Sequence, residues 1–253
     1  MYLCLTNPVE MLLAVDVGNT KIKAAVFEGN ALLEKFILDK NEPVKEVKKI
    51  FKKFPKIDFS ILSTVGNHDP ELLNALREAT QLIEISHDSA FPFINKYSTP
   101  KTLGIDRMVL AAGGVLQFPG QNRLVIDAGT CITYDFIDSS DAYLGGAISP
   151  GLRLRYESLH NFTAKLPLLS AEVPESHIGD STSQSIHSGV VKGVINEIEG
   201  FIQLYEKDYS RLIIILTGGD ADFLAKQFKS AIFANSNFLL ESLNQLYTYT
   251  IKK

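Results

Sequence analysis

The segment Leu12–Phe27, LLAVDVGNTKIKAAVF, returns in altered form at Leu124–Phe136, LVIDAGTCITYDF. In each copy an apolar strand runs into an Asp, then Gly and Thr, then a second strand. One such hairpin could be a structural turn capped by its Asp. Two of them in 253 residues are more restrictive. They predict two similar domains facing each other, each presenting a loop to a shared ligand.

The length permits two small domains or one large one. Apolar residues make up 45% and charged residues 21%, an ordinary balance for a folded soluble chain. The net charge of -4 argues against general nucleic-acid binding, which wants a basic face. No apolar run reaches bilayer-spanning length, so no membrane partner is expected. MYLCLTNPVE at the start lacks the basic segment and long apolar core of a secretory signal. Cys4 and Cys131 lie far apart, with no thiolate metal spacing, so a reduced, cytoplasmic protein is the expectation.

Leu12–Val17, Ile22–Glu28 and Ala31–Leu38 read as three strands joined by tight turns at Gly18-Asn19 and Gly29-Asn30. Residues 44–54 carry helical spacing, and 57–63 read as a strand. Residues 70–79 read as a helix that Asp69 caps and Pro70 opens. Another strand is expected at 82–85, a loop through Pro92 and Pro100, and a helix from about Ile105 to Phe118. After the break at Pro119-Gly120 the order starts again. Strands fit 123–128, 131–137 and 143–148, and Pro150-Gly151 turns into a short helix. An irregular stretch to about Asp180 leads to a long helix from Thr182 to about Tyr205. A strand at 211–216, a helix near 222–228, a strand at 231–234 and a helix from about Asn237 to Leu246 complete the chain. Both halves read βββαβαβα, which implies a mixed sheet with helices on its faces. The domains are expected at residues 1–118 and 119–253. The stretch 163–180 is long for a connection and suits a functional segment.

Asp16 closes a buried strand before Gly18, Asn19 and Thr20. Glycine lets backbone N–H groups approach an anion, Asn and Thr side chains donate to phosphate oxygens, and Lys21 or Lys23 adds positive charge. A carboxylate among phosphate donors calls for a cation, and magnesium suits carboxylate and phosphate oxygens. Asp127-Ala128-Gly129-Thr130 repeats the pattern and favours phosphate binding over two plain turns. Gly218 and Gly219 follow an apolar strand and precede a helix, where glycine admits a flat ligand or a phosphate, or simply makes the turn. Asp106 in Gly104-Ile105-Asp106-Arg107 opens a helix. It reads as a cap, or as a carboxylate poised to take a proton from a hydroxyl, with Arg107 holding a substrate carboxylate or phosphate. The histidines at 68, 87, 160, 177 and 187 show no metal-ligand spacing, and Ser149 lacks the elbow of a hydrolase nucleophile. The lysines of 45–53 read as a solvated helix face.

Paired DxGNT and DxGT hairpins with a later strand–Gly–Gly turn resemble the acetate and sugar kinase, Hsp70 and actin superfamily. Within it the chain resembles the type III pantothenate kinases over almost its full length. The residues that carry this are Asp16–Thr20 with Lys23, Gly104–Arg107, Asp127–Thr130, Gly145–Gly151 (GGAISPG) and Thr217–Asp220. The resemblance implies two ribonuclease-H-like α/β domains with an active cleft between them. It implies ATP-dependent phosphorylation of pantothenate to 4'-phosphopantothenate, the first committed step toward coenzyme A.

The same resemblance makes Asp106 the base on the pantothenate hydroxyl. Tyr97, Gly104, Ile105 and Arg107 would line the substrate pocket. Asp16, Val17, Gly18, Asn19, Thr20, Lys21, Ile22 and Lys23 would cradle ATP phosphates, with Gly129 and Thr130 touching them from the second domain. Asp127 would hold a monovalent cation, potassium or ammonium, beside the magnesium at Asp16. The family is dimeric, so a homodimer is implied, in which Thr182 reaches the partner's pantothenate. Two departures are visible. Ser181 stands where the family commonly has Asn, and ten residues precede Met11, where relatives commonly begin. Those ten are expected to be dispensable. A kinase of the same superfamily acting on another small alcohol, and a non-catalytic regulator that kept the fold, are the alternative readings.

Overall fold

The structure is a computed structural model that describes residues 10–66, 69–228 and 232–251. The chain ahead of Glu10 and His68 lie outside the described residues, as does the first residue of the strand expected at 231–234.

The first sheet opens with β1 (Met11–Val17), β2 (Ile22–Glu28) and β3 (Ala31–Leu38). β1 and β2 are covered on both faces, and they read as near-continuous apolar runs for that reason. β3 is an edge strand, and its side chains alternate between exposed and half-buried. Glu28 pairs with Ala31 across a two-residue turn in which Gly29 takes φ +58°, a conformation glycine adopts without penalty. Helix α1 (Pro43–Lys53) turns Val47 and Ile50 inward and its lysines outward, as the spacing predicts. Next come β4 (Ile57–Thr64), α2 (Pro70–Ala79) and β5 (Gln81–Glu84). The Asp69 side chain accepts from the N–H groups of Glu71 and Leu72, so the expected cap is present. The strand order is β3-β2-β1-β4-β5, with β2 antiparallel to β1 and β4 parallel to it.

After β6 (Ile94–Asn95) and α3 (Ile105–Gln117), the pattern repeats as β7 (Asn122–Ala128), β8 (Cys131–Ile137) and β9 (Ala142–Pro150). Helices α4 (Leu152–Asn161), α5 (Thr182–His187) and α6 (Gly193–Asp208) follow, then β10 (Leu212–Thr217), α7 (Ala221–Ala225), β11 (Phe233–Ala234) and α8 (Phe238–Ile251). The second sheet runs β11-β10-β7-β8-β9-β6. Its first five members repeat the order of the first sheet. The duplicated hairpin therefore belongs to a duplicated ribonuclease-H-like α/β topology.

Five details depart from the sequence reading. The expected long helix is interrupted by a π-turn, Ser188–Lys192, between α5 and α6. The helix expected near 222–228 is the shorter Ala221–Ala225, and the last helix extends to Ile251. A two-residue strand, β6, lies inside the expected loop. The compact units are also interleaved in sequence instead of forming contiguous halves. One takes the chain to Pro92, Thr99–Leu116 and the chain from Leu239; the other takes Phe93–Ser98 and Gln117–Phe238. The cause is local bonding. β6 finds its ladder on β9, with Ile94 paired to Ala142. α8 packs so tightly on α3 that a Cβ on Gly113 would overlap Ser242 Oγ. Asn244 Nδ2 also donates to Gly29 O at 2.9 Å.

Each unit has its own core. In the first, Leu13, Val15, Val26, Leu62 and Leu72 pack with α1. In the second, Leu124, Ile126, Tyr134, Val191 and Ile198 do the same with α6. No helix among the described residues is long and apolar enough to cross a membrane.

Candidate active site

The first unit places Asp16 at the C-terminal end of β1, 5% exposed. On one side its register partner is Lys23 of β2, and on the other it is Ser63 of β4. Ser63, wholly buried, donates its hydroxyl to Asp16 Oδ1 at 2.8 Å. Burial is the main cause that pushes the Asp16 carboxyl up to about 6. The Ser63 bond and the Lys23 charge oppose that rise, and the charge of Asp106 adds to it. The loop that follows turns on Gly18, whose N–H donates to Lys21 O at 3.1 Å. A Cβ on Gly18 would come within 3.2 Å of that oxygen. Asn19, Thr20 and Lys21 stand exposed at the tip, and Lys40 Nζ reaches Asn19 O at 2.7 Å.

Asp106 lies in the first turn of α3, within electrostatic reach of Asp16. Its Oδ1 accepts the Arg107 N–H at 2.8 Å, so it does stabilise the helix start. Burial pushes its carboxyl above the usual range, against the pull of that N–H and of the Arg107 charge. Gly104 adjoins it closely: a Cβ there would overlap Asp106 Oδ1 and require that carboxyl to shift. Arg107 is 7% exposed. The unit thus assembles Asp16, Lys23, Gly104, Asp106 and Arg107 from three elements. A poorly solvated carboxylate with a raised pKa can accept a proton from an alcohol near neutrality.

The second unit repeats the arrangement with different neighbours. Asp127 ends β7, and its register partners are Thr133 of β8 and Thr217 of β10. Neither neighbouring strand places a Lys or Arg at that level. The hairpin tip is braced by backbone. Gly129 N–H donates to Cys131 O at 2.9 Å, Gly151 N–H to Thr130 O at 3.0 Å, and Asp220 N–H to Ala128 O at 2.9 Å. Gly218, at φ +100°, lies against this tip, and a Cβ there would overlap Ala128 O and Asp127 Oδ1. Thr130 is exposed. Arg155 supports the Ser149–Gly151 bend from below, donating to Pro150 O at 2.8 Å and Ser149 Oγ at 2.7 Å.

Tyr97 also belongs to the second unit, beside Tyr143 and Gly145. Thr182 stands exposed at the first position of α5 and lines an open groove of about 700 Å³ with Leu159, Gly179 and Ile186. Ser181 caps that helix, its side chain accepting the Gln184 N–H at 3.3 Å. The capping oxygen that an Asn would supply is therefore kept.

Sequence reading missed Ser63. Ser63 becomes a site residue only through the β1–β4 register. The signal available in sequence was the hydroxyl residue that closes both equivalent strands, Ser63-Thr64 and Thr217. Among the described residues no cluster of three or more His, Cys, Asp or Glu is placed to hold a metal ion by itself. Asp16 and Asp127 each offer hard oxygen ligands, which suits a cation shared with a ligand's own oxygens.

Comparison with known proteins gives a consistent picture. The family model for type III pantothenate kinases matches residues 12–204. A type III pantothenate kinase of Flavobacterium johnsoniae is 62% identical over 241 residues, covering 95% of this chain and 99% of the relative. One of Bacteroides fragilis is 37% identical over 239 residues, covering 94% and 98%. Among solved structures, a Campylobacter jejuni protein described as of the Baf transcriptional activator family aligns at TM-score 0.61 and 23% identity, covering 95% of this chain and all of that one. MreB5 of Spiroplasma citri bound to ADP aligns at TM-score 0.52 and 12% identity, covering 97% and 98%. At those identities the structural likeness speaks for the fold alone.

Proposed function

We infer that this chain, which belongs to the type III pantothenate kinase family, transfers the γ-phosphoryl group of ATP to the primary alcohol of pantothenate. It is an enzyme of coenzyme A biosynthesis, and its product is 4'-phosphopantothenate. The observation that carries the mechanism is the Asp16–Asp106 pair, two poorly solvated carboxylates brought together from β1 and the head of α3.

Asp106 accepts the proton of the pantothenate hydroxyl. The hydroxyl oxygen forms a bond to the γ-phosphorus as the bond to the β-bridging oxygen breaks, and ADP leaves. Phosphoryl transfer asks mainly for positioning and charge neutralisation. Gly18, Asn19, Thr20, Lys23, Gly129 and Thr130 bind phosphate oxygens. Gly218 and Gly219 flank the nucleotide. Tyr97, Gly104, Ile105 and Arg107 bind pantothenate, and Arg107 pairs with its carboxylate. Magnesium shared between Asp16 and the nucleotide phosphates would neutralise phosphate charge. A nearby cation also favours the ionised form of a carboxyl that burial disfavours.

A monovalent cation at Asp127 fits a register that offers threonine hydroxyls and no basic side chain. The rate should fall when sodium replaces potassium, and equal rates would remove that site. A cytoplasmic homodimer in which Thr182 reaches the partner's pantothenate completes the reading. Mixed subunits of Asp106→Asn and Thr182→Arg should then regain activity, because one heterodimer site escapes both lesions. No recovery after verified subunit exchange would mean that each subunit builds its own site.

Turnover settles the substrate. ADP release by the purified protein should depend on pantothenate and not on a panel of sugars or on acetate. Release driven by a sugar, or no release with any acceptor, would overturn the reading.

A further inference from the structure

Asp135 is a carboxylate wholly buried in the middle of β8, and nothing in the phosphoryl-transfer scheme uses it. Burying a carboxylate is costly unless strong donors meet it. Here they do: Tyr143 Oη donates to Oδ1 at 2.6 Å and Thr133 Oγ1 to Oδ2 at 3.1 Å. At 2.6 Å the first is a short O–H···O hydrogen bond. A Tyr held so tightly cannot swing. Its ring, also wholly buried, has Phe93 at 5.9 Å and Tyr97 at 6.1 Å, Tyr97 in an edge-on arrangement.

Three further contacts converge on Tyr97. Tyr143 O accepts the Lys96 N–H at 2.9 Å, fixing the backbone one residue upstream. Asn95 Oδ1 accepts the N–H of Tyr97 itself at 2.9 Å. Gly145, at φ +120°, adjoins it: a Cβ there would stand 3.4 Å from the Tyr97 ring, in van der Waals contact, on a backbone that favours glycine. The short strand β6, too brief to hold its own place, is thus fixed by β9 from beneath. Tyr97 is half-buried, one part of it committed to this packing and the rest open to a ligand.

We propose that Asp135, Tyr143 and Gly145 are positioning residues that set the Tyr97 ring as a wall of the pantothenate pocket, and so control affinity for the alcohol substrate and not for the nucleotide. This rests on the assignment of Tyr97 to that pocket. The Asp135 carboxyl holds Tyr143, Tyr143 carries Tyr97, and the Gly145 backbone backs the ring.

The test compares steady-state constants and calorimetric pantothenate binding for Tyr143→Phe, Gly145→Ala, Asp135→Ala and Asp135→Asn, with Tyr97→Ala as reference. Tyr143→Phe and Gly145→Ala should raise the pantothenate KM about 3- to 10-fold, the worth of roughly one hydrogen bond, and weaken its binding in step. The ATP KM should stay within about twofold. Asp135→Asn, whose side-chain oxygen still accepts from Tyr143, should lose less than Asp135→Ala. If Tyr143→Phe fails to fold, Gly145→Ala decides, because it leaves the buried carboxylate pair intact. If Tyr97→Ala weakens pantothenate while Tyr143→Phe and Gly145→Ala do not, the proposal is wrong and the kinase reading stands. If Tyr97→Ala leaves pantothenate unaffected, the Tyr97 assignment fails and the proposal with it. An equal rise in the ATP KM would mean general destabilisation and would also overturn it.

Discussion

The two acidic hairpins share a topology and differ in how the protein holds them. In the first, Asp16 lies between a lysine and a serine, and the exposed tip of Asn19, Thr20 and Lys21 is tethered by Lys40. In the second, Asp127 lies between two threonines, and two backbone hydrogen bonds, from Gly151 N–H to Thr130 O and from Asp220 N–H to Ala128 O, tie the tip to neighbouring segments, against one, from Val65 N–H to Val17 O, in the first. The first hairpin offers charge and side-chain donors at an exposed loop. The second offers a stiff backbone platform. Duplication supplied one scaffold twice, and the residues at equivalent register positions then diverged toward different tasks. In the first copy a second carboxylate, Asp106, packs near the hairpin's Asp.

That pairing carries the largest expected effect. Asp106→Asn keeps the oxygen that accepts the Arg107 N–H, so α3 should remain folded at a cost of about 1 kcal/mol or less. It removes the proton acceptor, and kcat should fall by about 10²–10⁴-fold. Calorimetric ATP affinity should be nearly unchanged, since both hairpins are intact. Near-normal kcat in a folded Asp106→Asn protein would return this residue to a helix start and erase the main chemical difference between the units.

Asp16 gives the next largest effect, on stability. Its folded-state carboxyl at about 6 lies above the ordinary 3.8, so the folded protein binds this proton more tightly than the unfolded chain does. The stability it lends is present below about pH 4 and is lost as pH rises through about 6. Some two units at about 1.4 kcal/mol each make this about 3 kcal/mol for the ligand-free protein. Asp16→Asn, which can still accept from Ser63, should therefore be the more stable protein at pH 8 and lose that advantage near pH 4. It should also bind magnesium-ATP more weakly. Denaturant midpoints across this range, with calorimetry, test both parts. No gain in stability at pH 8 would show that water reaches the carboxylate and that burial does not govern its charge.

Much of this was legible in the sequence because the informative signals are local. The repeated Asp–Gly–Thr hairpins announced the duplication, Asp69-Pro70 marked one helix start, and Gly104–Arg107 marked another, that of α3 with its buried carboxyl. The rest depends on neighbours that sequence order does not reveal. Ser63 gains its role only from lying beside Asp16 in a parallel pair 47 residues away. Ile94–Asn95 between two prolines reads as loop, because two residues carry no period and β9 supplies the ladder. The YTYT run of α8 mixes aromatic and β-branched residues, which weakens any helical signal, yet Tyr247 bonds Glu10 at 2.7 Å and packs on Phe59. The buried Asp135–Tyr143 bond has no sequence signature, since neither residue lies in a motif.

The smallest expected effect compares the glycines that follow the two central parallel strands. Gly66 after β4 and Gly218 after β10 take nearly the same conformation, φ +104° and +100°. An alanine at either position bears left-handed strain, about 1–3 kcal/mol. The surroundings differ. Among the described residues nothing lies within 4 Å of a Cβ on Gly66, whereas one on Gly218 would overlap Ala128 O and Asp127 Oδ1. Those atoms belong to the braced tip, so relief would require moving the platform. Gly218→Ala should therefore cost about 1–3 kcal/mol more than Gly66→Ala, as overpacking does. It should also raise the ATP KM, because the displaced segment carries Thr130. If the braced hairpin can shift at little cost, the two alanine variants will show equal denaturant midpoints and equal ATP KM. That result would contradict the contrast between a stiff second hairpin and an exposed first one.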